Sequence, residues 1–330
     1  MRLRGVTFAK PYKSIRIVMS VMKMKKKKAK IDKGDLIFYC AFMAWPVLQF
    51  LVYYIGVNIN SILMSFQFNQ IVDDKLITDY FSLKQYQKVF EWFSNADFQN
   101  YLSVSVRAFL VTTLISLPLG LLFAFYIYKK LPFWGGFRVI LFLPSILSGV
   151  VVAAIFRYFL ETWAPAVFGK ESIWGNLLDP VNELYFPVLM FYNIWVGFGT
   201  SVLMYSNKMS SIPEEIIESA HLDGAMGLKE FWYIVLPLTY STISVFLITG
   251  VATVFVSQFG AYDMFAYAAD NSIKSIGYWF FIEVAGRFKT VQKSAELPYY
   301  SAIGVVLTFI TVPIALGLRW ALEHFGPSED

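Results

Sequence analysis

The sequence predicts an all-α, polytopic membrane protein with about six transmembrane helices, and three observations carry that prediction. Apolar runs longer than the roughly 18 residues needed to cross a bilayer recur along the whole 330-residue chain. Only 15% of the residues are charged, against about 25% in a soluble domain, while 57% are hydrophobic and the mean hydropathy is +0.54. Each run also contains or begins with a proline, Pro46, Pro118, Pro144, Pro187, Pro237 and Pro313, a residue commoner in membrane helices than in soluble ones.

The chain opens with a basic arm, residues 1–34, that holds twelve Lys/Arg against one acid, Asp32. It has neither the apolar stretch nor the small-residue cleavage site of a signal peptide, so it reads as a cytoplasmic tail facing anionic membrane lipid rather than nucleic acid. A transmembrane domain over 35–322 follows, with spans expected at 36–64, 102–128, 138–160, 185–206, 235–260 and 299–321, and a short cytoplasmic tail at 323–330. Six crossings put both termini on one side. The arm and the connector 129–138, with Lys129, Lys130, Arg138 and no acid, place that side in the cytoplasm. Outside, Leu83, Tyr86, Phe90 and Phe93 at helical spacing predict an amphipathic helix on the membrane surface. The apolar run Ile276 to Ala285, too short to span, predicts an interfacial or folded-back element.

Several chemistries are excluded early. A single cysteine, Cys40, allows no intrachain disulfide, and His221 and His324 lie on no metal-ligand spacing and read as surface histidines. The only Gly-Lys pair, Gly169-Lys170, is followed by Glu171 and has Ala164 where a phosphate-cradling loop needs glycine. No nucleotide site of that kind is expected here, nor any cofactor on this chain.

The informative connector is SSIPEEIIESAHLDGAMGLKEFWYIVLPL, residues 210–238. Ser211 with Glu214 predicts a capping box, Pro213 suits a first turn and Gly224 a left-handed stop, which together delimit a helix over about 212–222. Ile212, Ile216 and Ala220 share one face of it, and Glu214 and Glu218 another. Such a helix either lies on the membrane or docks into a partner's groove. Its net acidity disfavours anionic lipid.

Glu218-Ser219-Ala220, then Gly224, then Ile234 and Leu236-Pro237 resemble the EAA loop of binding-protein-dependent ABC importer permeases, with Ser219 in place of the first alanine. Phe137-Arg138, Leu143-Pro144, Trp174-Gly175-Asn176 and Ser211-Ile212-Pro213-Glu214 extend the resemblance from about residue 80 onward to the carbohydrate-uptake permeases of the maltose and multiple-sugar type. Tyr299-Tyr300-Ser301-Ala302 and the basic arm resemble the first of the two permeases such systems pair. The resemblance implies a bacterial plasma-membrane importer with a cytoplasmic coupling loop. It implies a heterodimeric partner permease, two ATP-binding subunits carrying ATP and Mg, and an external solute-binding protein that delivers a sugar or oligosaccharide. Carried over by position, Glu218, Ser219, Ala220, Asp223, Gly224 and Pro237 form the ATPase-coupling loop, with Glu218 facing a basic residue of the ATPase and Asp223 shaping the turn.

Tyr192, Asn193, Trp195, Tyr240, Ser257, Gln258 and Tyr262 combine rings with neutral hydrogen-bonding groups in the fourth and fifth spans. That mixture suits an uncharged polyol, and it suits helix–helix packing equally. The alternative mechanism, an ion-coupled secondary transporter, normally places an ionisable residue at mid-membrane. Arg107, Arg157 and Asp263 instead fall near the expected span ends. No span offers the paired groups of an embedded enzyme.

Overall fold

A computed structural model describes residues 33–72, 75–287 and 295–327. The basic arm up to residue 32 and the last residues of the tail lie outside the described residues. The first helix, α1 (Leu36–Ser65), is apolar on all sides, and none of its apolar window is buried by the rest of the chain. An all-round apolar helix is a membrane segment or a core helix. With none of the described residues packed around that window, hydrocarbon or another subunit suits this surface. A stretch of wider π-helical turns, Phe50–Gly56, follows Pro46 within it, and the last part, Val57–Ser65, lies along the final helix.

A short antiparallel hairpin, β1 (Phe68–Val72) with β2 (Lys75–Asp79), leads to α2 (Lys84–Phe93). On α2, which was expected to lie on the membrane surface, Leu83 and Phe90 are exposed, and the positions turned into the protein are Gln85 and Val89. The reason is tertiary. The Tyr86 hydroxyl meets Ser65 Oγ at 2.7 Å, Trp92 stacks on Trp279 at 4.5 Å, and these contacts fix which face turns inward.

The long helix α3 (Ala96–Tyr128) begins at Asn95, whose side chain accepts a hydrogen bond from Asp97 N, and runs parallel to α6 (Tyr185–Ser210), with Thr112 beside Asn193 and Gly120 beside Tyr205. Between them lie α4 (Trp134–Ile146) and α5 (Gly149–Phe168). The run expected to be one span over 138–160 is therefore two helices. Leu147 and Ser148 are extended at the break, three residues beyond Pro144. The segment after the connector α7 (Glu214–Leu222) is likewise divided, into α8 (Leu228–Leu238) and α9 (Tyr240–Thr253), which meet at 63°. Pro237 removes a backbone donor there. Buried Thr239 turns its hydroxyl back to Val235 O at 2.7 Å, and both features bend helices. Helix ends at Thr253, so residues 254–260, expected to complete the fifth span, are not helical.

The chain then folds back through α10 (Ala261–Phe265) and a short 3-10 turn, Asn271–Ile273, into α11 (Ile276–Arg287). It ends in α12 (Leu297–Phe325). Among the described residues, five helices are long and apolar enough to cross a bilayer, and six if α8 and α9 form one bent span.

Three clusters of buried side chains hold the bundle. One joins α3, α5, α6 and the folded-back segment through Leu160, Leu189, Tyr192 and Met264. A second joins the far halves of α3 and α6 to α8 and α9 through Phe125, Val202, Tyr205 and Phe231. A third seats α2 and α11 on α12 through Val89, Ile276 and Ile303. The α4–α6 contact needs a residue without Cβ at Gly199, where an added carbon would overlap the Leu141 carbonyl.

Candidate coupling loop and solute cavity

The loop between α6 and α8 is built from local rules plus one buried ion cluster. Ser211 does not cap the next helix. Its Oγ turns back to Lys208 O at 2.7 Å and closes α6, so the expected capping box with Glu214 does not form and extended Pro213 precedes α7 instead. Glu214 and Glu215 occupy the first turn of α7, where a negative charge complements the helix dipole. At the other end Ala225 N donates to Ala220 O at 2.9 Å and Gly224 N to His221 O at 3.0 Å, the bonding pattern of a Schellman stop. Gly224 has φ of +79°, the left-handed conformation that the stop requires and that a Cβ disfavours.

On α7, Ile217 and Ala220 are buried, while Ile212 and Ile216 are half-buried. Ala220 is buried as expected, but its buried companion is Ile217 rather than Ile216, so the inward face is turned by about one position from the expected Ile212–Ile216–Ala220 face. Ser219 satisfies its hydroxyl within its own turn on Ile216 O at 3.0 Å. Glu218 and Asp223 are exposed, and Glu218 has no ion pair among the described residues. Pro237 lies at the other end of the segment, just before the 63° bend.

Sequence reasoning missed Glu230. Its side chain is fully buried, with the carboxylate 2.9 Å from Lys129 Nζ and 3.0 Å from His221 Nε2. Because a carboxylate only accepts, Nε2 is the donor of that second bond. Thus His221 is half-exposed and engaged rather than a free surface histidine. The available signal was an acid directly abutting the apolar run that starts at Phe231, since a charge there must be paired to be buried.

The seven residues singled out for a solute path are dispersed. Tyr192 is buried against Phe156 at 5.4 Å and beneath Gly260, and Asn193 bonds Thr112 Oγ1 at 3.1 Å between α6 and α3. Trp195 is partly exposed beside Phe156 and Phe191. Tyr240 donates to Leu322 O at 3.2 Å and so ties the start of α9 to the end of α12. Ser257 O accepts from Ser275 Oγ at 2.9 Å.

A cavity of about 490 Å³ opens among α9, α11 and α12. Gln258 lines it together with Phe280, Phe281, Thr308 and Thr311, and Tyr262 stands edge-on to Phe281 at 4.7 Å. The two threonine hydroxyls bond back to Gly304 O and Leu307 O within α12, so Gln258 brings the amide to an otherwise mostly apolar lining. The size is within the range of small-molecule sites.

Arg157 stands in the middle of α5 rather than near the end of a span, because the 138–160 run is broken before it. Its guanidinium is occupied by Glu161 at 2.6 Å and by Met264 O at 3.1 Å, which holds α10 against α5. Arg107 stacks on Phe186, 5.4 Å from the ring centre.

A bundle of apolar helices wrapped in exposed hydrophobic surface, with one short acidic helix in the connector between two of its members, defines a multi-pass membrane protein. The family model for the binding-protein-dependent transport system inner membrane component matches residues 116–329, and the chain belongs to that family. It is thus a transport permease of the inner membrane rather than an enzyme.

Among its relatives is the arabinooligosaccharides transport system permease protein AraP of Bacillus subtilis, 27% identical over 83% of this chain and 85% of AraP. The multiple sugar-binding transport system permease protein MsmF of Streptococcus mutans is 27% identical over 57% of this chain, which spans 62% of MsmF. A solved structure of a bacterial ABC transporter involved in import of the acidic polysaccharide alginate superposes with a TM-score of 0.69 at 19% identity. That match covers 89% of this chain and 97% of the solved one, so the two share the fold.

Proposed function

We propose that this chain is the first-type permease of an ATP-driven importer, that it forms the translocation path with a second permease, and that the solute is a sugar or oligosaccharide. The observation that carries the reading is α7. It is a short helix closed by a Schellman stop, with an unpaired and exposed carboxylate, Glu218, at the position the EAA loop reserves for contact with the ATPase. A charged group held on a rigid helix with no internal partner is suited to a charge-assisted bond across an interface. Two ATP-binding subunits would supply ATP and Mg, and an external binding protein would supply the solute. Both termini would be cytoplasmic, set by the basic arm.

The carbohydrate assignment is supported by relatives named for multiple sugars and for arabinooligosaccharides. The cavity beside Gln258 supports it further, since aromatic rings and a neutral amide suit a polyol and carry no charge for an ion. Copurification from the native membrane, with mass spectrometry of bound subunits and glycans, tests the reading. An ATPase, a second permease and a glycan-loaded binding protein are the expected partners. A complex without an ATPase, or solute accumulation by this chain alone on a proton or sodium gradient, overturns it.

A further inference from the structure

Three helix ends meet at Glu230. Lys129 is the C-cap of α3, His221 is in the last turn of α7, and Glu230 is in the first turn of α8. Each side chain carries the sign that its own helix end favours, the two basic groups at C-termini and the carboxylate at an N-terminus. The carboxylate has no exposed surface, and its Oε2 is shared by Lys129 Nζ at 2.9 Å and His221 Nε2 at 3.0 Å, with Oε1 3.1 Å from the same ammonium. Lys129 is 101 residues away in sequence, and without Glu230 none of the bonds between these three groups exists.

We infer that Glu230 is a positioning residue that clasps the end of α7 to α3 and α8, so that a displacement of α7 is delivered to the transmembrane bundle as a rigid-body movement. This inference rests on the reading of α7 as the helix that meets the ATPase. The chain that leaves α7 contains two glycines at positive φ, Gly224 at +79° and Gly227 at +60°, with open space around both. Such a connection would let α7 hinge against α8, and a push on α7 would be absorbed in the turn. The clasp bridges that hinge from the side. It also explains why a charge cluster is retained here, since buried ion pairs add little net stability compared with apolar packing yet specify one geometry closely.

The experiment uses the full reconstituted transporter in a Cys40→Ala background, with spin labels at Glu215→Cys on α7 and Lys130→Cys beyond α3. The distance between labels is measured in the resting state and in the ATP-trapped state, and ATPase rates are measured with and without the solute-binding protein. With Glu230 present, one narrow distribution with the same mean in both states is expected. Glu230→Gln should broaden it and lower the stimulation of hydrolysis by binding protein about two- to thirtyfold, the range for residues that link two sites without touching either ligand. His221→Ala, which has no donor to offer the carboxylate, leaves the Lys129–Glu230 pair in place and frees only α7. It should lower the same ratio with subunit assembly and melting temperature unchanged, a result that a merely structural role would not give.

A wild-type distance that shifts between the two states, or a His221→Ala transporter with the wild-type ratio and distribution, overturns the clasp. If Glu218→Lys uncouples while His221→Ala does not, the clasp alone falls. If Glu218→Lys leaves coupling intact, the reading of α7 falls with it.

Discussion

Gly224 and Glu218 show how much a single residue can announce of its own role. A left-handed stop is a local demand on the backbone, so Gly224 could be read from its place after a short helical run, and its φ of +79° meets that demand. Replacing Gly224 with valine should cost about 1–3 kcal/mol at the stop, because a branched side chain is forced into a sparsely populated conformation. The check is transport against ATPase activity on one reconstituted complex, where both insertion and assembly should persist while the ratio falls. Glu218→Ala should weaken the contact with the ATPase by about 2–5 kcal/mol if the opposite charge stays buried, and by much less if it lies at the rim. Glu218→Lys should be worse, since it adds repulsion. Glu218 variants that assemble, respond to binding protein and transport at wild-type rates would refute the contact. Glu230, by contrast, announced little, because its partners Lys129 and His221 come from two other helices.

At the scale of elements, the sequence located apolar runs, and the structure decided where each is broken. Proline marks all six runs, yet the pronounced bend falls at Pro237–Thr239, where the lost donor coincides with a hydroxyl turned back to Val235 O. Tyr240 then fastens that corner to the end of α12 through Leu322 O, and its ring fills the place where a Cβ on Gly326 would stand. Tyr240→Phe keeps the ring and removes the hydroxyl, so a loss of about 0.5–1.5 kcal/mol in the thermal stability of the purified complex is expected.

The α4–α6 crossing gives a sharper contrast between two glycines on one helix. Gly199 faces the Leu141 backbone and Gly197 faces open space. Gly199→Leu should destabilise by about 1–3 kcal/mol through overpacking. Gly197→Ala should stay within about 0.5 kcal/mol or improve stability, as a helix interior prefers alanine. Melting curves of the two variants, compared in the same detergent, decide it. Periodicity alone cannot tell these positions apart, because both lie within one continuous apolar run.

For the whole molecule, topology follows from helix lengths and from where the loops emerge. The 26 residues of α6 extend about 39 Å, more than the roughly 30 Å hydrocarbon core, so the loop 169–184 before it and α7 after it emerge on opposite faces. In a Cys40→Ala background, a cysteine at Asp179 should react with an impermeant thiol reagent added to intact cells, and one at Glu215 only after permeabilisation. The reverse pattern would invert the orientation given by the basic arm. A purified chain that binds or hydrolyses ATP would equally contradict the assignment of nucleotide to a separate subunit.

The sequence by itself determined that this chain dissolves in a bilayer, roughly where its apolar runs lie and where the connector helix α7 stops, because hydropathy, capping and positive φ are properties of a few consecutive residues. Only the tertiary structure decided which face of α2 and of α7 turns inward, that two of the runs are broken or bent, and that Lys129, His221 and Glu230 share one buried site. Those outcomes depend on contacts between residues tens to more than a hundred positions apart. In a membrane such contacts are selected by close packing and buried polar pairing rather than by hydrophobicity, which is nearly uniform along the runs and therefore carries no record of them.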